Sequence, residues 1–131
     1  MIIAHIITGL DDGGAEAILY RLCQADKKNT HMVTSLQDMG KYGALLMQEN
    51  IIVHCLNMPR SSVTLSGMWS LMGILRQSKP DVVQTWMYHA NLLGGIAARL
   101  VGIKEVFWGL HNTTLKKGLI SRSTLLVARI C

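Results

Sequence analysis

Cysteine is scarce and poorly spaced for its usual roles. Cys23, Cys55 and Cys131 form an odd set with wide, irregular gaps, so neither a disulfide framework nor a CxxC metal or redox pair is visible. A reducing cytosol is the simplest setting for such a chain. No apolar run reaches the roughly 18–20 residues of a membrane span, because Arg99, Lys104 and Glu105 interrupt the longest candidate. The apolar opening Met1–Leu10 has no basic leader, contains His5 and runs into Asp11 and Asp12, so it reads as a strand and not as a signal peptide. No HExxH pattern or carboxylate cluster is present, which leaves a metal site without support. Charged residues make up only 16% of the chain and apolar ones 50%, a balance that excludes disorder and suits a packed α/β core.

The 131 residues fit one domain. A net charge of +5 gives a mild bias toward anions: phosphates, nucleotide sugars or acidic lipid headgroups. Lys27 and Lys28 follow the first helix, and Lys116, Lys117, Arg122 and Arg129 gather near the end. None is interleaved with aromatics, so nucleic acid is not an expected partner. These cations are solvated faces or peripheral contacts with the inner face of a membrane.

Hydrophobic periodicity alternates strictly between strand and helix. Strands are expected at Ile2–Thr8, His31–Leu36, Ile51–Leu56, Val82–Thr85 and Glu105–Leu110, and helices at Ala15–Ala25, Lys41–Gln48, Thr64–Gln77 and Asn91–Val101. A basic helix is expected to begin at Ser121–Ile130. In the third helix Leu65, Met68, Trp69, Met72 and Leu75 form the stripe expected to cover the sheet. Gly94 and Gly95 in the fourth would let its backbone approach the sheet closely. The pattern predicts a Rossmann-like parallel sheet flanked by helices, with the first, fourth and fifth strands adjacent. Ligands of such sheets bind beyond the carboxyl ends of the strands, which directs attention to the segments after strands one, four and five.

After strand one, Gly9-Leu10-Asp11-Asp12-Gly13-Gly14-Ala15-Glu16 is neither a dinucleotide GxGxxG nor a Walker loop. A glycine pair at a helix amino terminus lets a ligand reach free backbone N–H groups, and the dipole there favours an anion. The alternative is a tight turn with Asp12 as helix cap. After strand four come His89 and Asn91, and after strand five His111 and Asn112. Each pair can hydrogen-bond a hydroxyl or phosphate, or serve as surface and cap residues. His5, His31 and His54 lie on strands and are read as structural.

Gly13-Gly14-Ala15-Glu16 resembles the GGAE motif that opens the first helix of glycosyltransferase family four, a large group of GT-B enzymes. Lys79-Pro80-Asp81-Val82-Val83-Gln84-Thr85-Trp86 is similar to the family's KPDVVHTH-type strand, followed here by His89-Ala90-Asn91. Phe107-Trp108-Gly109-Leu110-His111-Asn112-Thr113 is similar to its strand-five ending. Two departures stand out: Gln84, where many relatives carry His, and the pair Asp11 and Asp12, whose charges oppose a phosphate unless turned outward.

The resemblance implies that residues 1–131 form the N-terminal, acceptor-side domain of a GT-B glycosyltransferase, with the C-terminal donor-binding domain absent. It implies a retaining sugar transfer from a nucleotide-sugar donor to a glycan or lipid-linked acceptor, as in polysaccharide biosynthesis, with no cofactor and no bound metal. By the same analogy Gly13, Gly14 and Glu16 approach the donor phosphates or the acceptor. His111 sits against the transferred sugar as the catalytic residue, while His89, Asn91 and Asn112 line the substrate pocket. This chain alone is expected to be inactive and to need a separate donor domain. The competing expectations are a non-catalytic acceptor- or protein-binding module and a sugar-nucleotide epimerase-like or dinucleotide-binding domain.

Overall fold

The computed structural model describes residues 1–59 and 64–109. Nine elements alternate among them: β1 (Ile2–Ile7), α1 (Gly14–Ala25), β2 (Thr30–Ser35), α2 (Gly40–Gln48), β3 (Ile52–Cys55), α3 (Leu65–Ser78), β4 (Val82–Trp86), α4 (Tyr88–Leu100) and β5 (Val106–Gly109). The strands form one sheet in the order β3-β2-β1-β4-β5, with every pairing parallel. The expected adjacency of the first, fourth and fifth strands is therefore observed. The order reverses between β1 and β4, so the chains leaving these two strands diverge and open a crevice at their carboxyl ends.

Alternation along β1 divides two cores. Ala4 and Ile6 join Met32, Val83, Leu71, Leu75, Leu93 and Ala97 in a cluster beneath α3 and α4. Ile7 joins Leu10, Leu19, Cys23, Val33, Leu46 and Trp86 beneath α1 and α2. A strand buried on both faces has no solvent side to show polar residues to, which is why β1 reads as a nearly continuous apolar run. Gly94 behaves as its sequence position suggests: a Cβ there would lie 2.7 Å from Thr85 Cγ2 and 3.1 Å from Ile6 Cδ1. Its absence lets α4 settle directly on β1 and β4.

Two expectations are corrected. In α3 the expected stripe holds at Leu75, which is buried, and at Met68 and Met72, which pack against the core, but Leu65 and Trp69 are 83% and 65% exposed and Gly67 and Leu71 are buried in their place. The core stripe runs i, i+4, i+8 through position 67, where Met58 fills the space a side chain would take. Counting only large apolar residues rotated the helix toward its solvent face. In addition, α4 begins at Tyr88, three residues before the expected Asn91, so His89, expected ahead of the helix, lies in its first turn together with Asn91. The helix expected near Ser121–Ile130 lies outside the described residues.

Candidate functional site

The first turn of α1 forms the glycine corner. Gly13 is the N-cap in an extended conformation and, lacking a side chain, makes no side-chain cap bond of its own. The cap reading for Asp12 is thereby excluded. Asp12 instead turns outward, its carboxylate 73% exposed and 3.5 Å from Lys41 Nζ, which removes the objection that its charge would repel a phosphate. Glu16 is buried and folds back against the cap. A Cβ on Gly13 would stand 2.5 Å from its Oε2, so a side chain at position 13 would displace the Glu16 carboxylate from the cap. Gly14 is different: a Cβ there would meet nothing within 4 Å. No packing contact calls for glycine at 14, and the missing side chain leaves open access to the helix's first N–H groups.

Thr8, at the end of β1, accepts from the Ala90 N–H at 3.3 Å, tying the amino terminus of α4 to the strand that feeds the glycine corner. His89 is exposed at this end of α4. Met87, between β4 and α4, has φ 71° and ψ 166°, a conformation costly for any residue with a Cβ. Asn91 supports it. With its amide nitrogen donating, Asn91 reaches Thr85 Oγ1 at 2.8 Å and the Met87 carbonyl at 3.2 Å. The Thr85 hydroxyl is then free to donate to the Phe107 carbonyl of β5 at 3.3 Å. Asn91 is buried, so its side chain braces the rim from inside. His111 and Asn112 lie outside the described residues.

Beneath the glycine helix runs a polar chain that sequence reasoning recognised only as structural histidines. Trp86 Nε1–H donates to His5 Nδ1 at 3.0 Å. An indole can only donate, so the proton of His5 sits on Nε2 and is given to His31 Nδ1 at 2.8 Å. That places the His31 proton on Nε2, which donates to Asp26 Oδ2 at 3.0 Å. Both tautomers follow from one donor-only group. Burial, reinforced by the neighbouring His31, pushes His5 down to about 3, so it is neutral at physiological pH. Hydrogen bonding, first from the Asn29 side chain, lowers Asp26 to about 2 and keeps it a carboxylate.

The ligand atoms of His5, Cys23 and His31 lie within 4.8 Å of one another. A metal on His5 Nε2 would require a proton on Nδ1, opposite the Trp86 N–H, and burial drives the Cys23 thiol up to about 12. The hydrogen-bonded chain fits these residues better than metal ligation does.

Along the rim from the glycine loop, Asp11, Gln37, Asp38, Asn57 and Met58 line an open cavity of about 260 Å³. Four of the five follow β2 and β3, segments that sequence reasoning set aside. The available signal was polar residues at the carboxyl ends of two further parallel strands.

The sequence profile of Glycosyltransferase Family 4 matches residues 12–130. The chain belongs to glycosyltransferase family 4. The HepE protein of Anabaena, solved in complex with UDP, shares its fold with a TM-score of 0.78 at 20% identity, covering 98% of this chain and 35% of that one. MurG of Acinetobacter baumannii superposes with a TM-score of 0.68 at 20% identity over 96% of this chain and 39% of its own. A UDP-N-acetylglucosamine 2-epimerase gives 0.62 at 20% identity, over 96% and 40%. This family 4 chain thus spans between a third and two fifths of the length of these proteins. At such identities the likeness shows a Rossmann-like fold of GT-B type. No curated protein matches the chain by sequence. Among the described residues of this family 4 domain, no helix is long and apolar enough to cross a membrane.

Proposed function

We propose that these residues form the acceptor-side half of a retaining glycosyltransferase, which works with a donor-binding half to move a sugar from a nucleotide-sugar donor to a glycan or lipid-linked acceptor. The observation that carries this is Gly14, a glycine that packing does not require, facing open space in the first turn of α1 on the crevice edge. Such a corner suits a diphosphate or the hydroxyls of a bound sugar. In this reading Gly13 and Glu16 hold the shape of the corner, His89 faces the crevice beside it, and Asn91 positions that segment. His111 and Asn112 belong to the same proposal through the family motif alone.

Half a cleft cannot hold both reactants in attack geometry, a contribution of roughly 7–11 kcal/mol. The chain by itself should therefore bind nucleotide sugars weakly and transfer nothing. Calorimetry or NMR titration with uridine, guanosine and adenosine diphosphate sugars tests this on the wild type and on Gly14→Val, whose side chain has room in the folded protein. Loss of binding in the variant with an unchanged fold is expected. Equal affinity in both proteins would remove the glycine corner from the site. An epimerase-like reading draws on the fold shared with UDP-N-acetylglucosamine 2-epimerase, but the family match favours transfer.

A further inference from the structure

The helices α3 and α4 lie side by side on one flank of the sheet, over Ala4, Ile6 and Val83. None of the chain's eight acidic residues falls in either helix, and their formal charges are the cations Arg76 and Arg99. The other flank is an ordinary solvent face, where charges of both signs pair: Lys41 with Asp12 and Lys27 with Glu49. Arg76 enters no such pair among the described residues. The nearest acids along the chain, Asp81 and Glu105, stand at the amino-terminal edge of the sheet ahead of β4 and β5, and Asp81 is engaged by the Ile2 N–H at 2.7 Å.

On α3, Leu65, Trp69 and Arg76 follow one another at i, i+4 and i+11, a spacing that puts them on one stripe. All three are exposed, turned away from the buried line of Gly67, Leu71 and Leu75. Gly73 lies one turn beyond Trp69, and a Cβ there would meet nothing within 4 Å. A helical side chain leans back over the preceding turn, so glycine at 73 leaves the indole uncovered, although glycine weakens a helix relative to alanine. The helix that presents this stripe is firmly started, since Thr64 Oγ1 accepts from the Gly67 N–H at 3.0 Å directly ahead of Leu65.

We propose that this stripe is a docking surface for an anionic lipid bilayer, with Leu65 and Trp69 seated at the acyl-chain boundary and Arg76 on the headgroup phosphates. The indole offers an apolar body and one N–H donor, which suits the depth between chains and headgroups. An anionic surface attracts a cation that has no competing carboxylate beside it. A second copy of the chain would bring the same cation and no acid to the contact, so charge favours a lipid surface over self-pairing. Helices between parallel strands run back against them, so the amino-terminal half of α3, with Leu65 and Trp69, lies toward the crevice rim. Docking is independent of the glycosyltransferase reading, whereas its use, bringing the crevice to a lipid-linked acceptor, rests on that reading.

The test is flotation of the full chain with vesicles of phosphatidylcholine alone or mixed with phosphatidylglycerol. The wild type should float with the mixed vesicles. Leu65→Ser, Trp69→Ser should bind them about tenfold or more weakly, with an unchanged circular dichroism spectrum because both side chains are exposed. Arg76→Gln should bind them about fivefold more weakly and leave any binding to phosphatidylcholine unaltered. Met47→Ser, which removes an exposed apolar side chain from α2 on the other flank, should float as the wild type does. A wild type that floats with neither vesicle overturns the proposal, as does a double variant that floats undiminished or a loss in Met47→Ser as large as in the double variant. So does a dimer in sedimentation velocity that the double variant abolishes while the wild type ignores vesicles, which would make the stripe a protein contact. A parallel titration with UDP, read at Gly13 and Gly14, separates the two readings. Failure to float with UDP binding intact removes this proposal alone, and UDP failure with flotation intact removes the donor reading.

Discussion

Beneath α3 and α4 the sheet meets its helices through hydrocarbon, with Ala4, Ile6 and Val83 against Leu71, Leu75 and Leu93. Beneath α1 it meets them through a directed polar chain, Trp86 to His5 to His31 to Asp26, set among Leu19, Val33 and Leu46. Hydrocarbon contact is nondirectional and tolerates small shifts, whereas a hydrogen-bonded chain has one arrangement and fails if a member moves. Slipping β1 by one residue would put Ala4 or Ile6 where His5 must stand. The polar face therefore fixes register, and its last member, Trp86, ends β4 at the crevice. Fold and site are joined through that face.

The largest effect should come from the hydrocarbon side. Leu71→Ala should cost about 2–5 kcal/mol, since Leu71 is fully buried and its cavity cannot collapse completely. Urea denaturation should show this loss equally at pH 7.5 and pH 5, because no titrating group is involved. A loss that grows on acidification would break the contrast between the faces. Asn91→Ala should come next, at about 1–3 kcal/mol, by leaving buried acceptors on Thr85 and Met87 without their donor. It should also broaden or shift the amide signals of residues 87–90, because the positive φ of Met87 loses its brace. Unchanged signals would show that Asn91 does not position the rim.

The fold was legible because both of its signals are local. β-branched runs such as Ile51–Val53 and the helical spacing of Ile18, Leu19 and Leu22 require no knowledge of distant residues. The parallel order follows from their alternation. The orientation of α3 was not legible, since Gly67 faces the core only because Met58 from another loop occupies the space above it. For the same reason the sequence offered the glycine corner but not the cavity wall. Asp11, Gln37 and Asn57 become neighbours only through loop-to-loop hydrogen bonds, and no local spacing announces them. Asn91 was visible as a polar residue after β4, but its burial depends on Thr85 facing α4, which is a matter of strand register.

The polar face should show its character through pH. His5 is depressed to about 3 in the folded protein by burial and by His31, against about 6.5 in the unfolded chain. The unfolded state therefore binds the extra proton first as pH falls below about 6.5, and stability drops by about 1.4 kcal/mol per pH unit until the folded pKa is reached. Above that window His5 adds no pH dependence. His5→Gln keeps an acceptor for Trp86 and a donor for His31 yet cannot titrate. Its loss of stability between pH 7.5 and pH 5 should be smaller than the wild type's by about 2 kcal/mol. Equal acid losses in the two proteins would mean that another group governs this window.

The smallest expected effect concerns the glycine corner. Asp12 and Lys41 form an exposed pair at 3.5 Å, and such pairs contribute between nothing and about 1 kcal/mol. Asp12→Asn should therefore change stability by no more than about 0.5 kcal/mol. Its influence on binding has a definite sign, because Lys41 is left uncompensated beside the helix amino terminus. A unit charge some ~8 Å from a phosphate in a watery crevice alters affinity by about twofold, so UDP should bind about twofold more tightly to Asp12→Asn and about twofold more weakly to Lys41→Gln. Both differences should vanish in about 0.5 M salt, where charges at that separation are screened. A salt-independent change would instead mean that these substitutions alter the shape of the corner. Tighter binding in Lys41→Gln would show that the phosphate lies elsewhere.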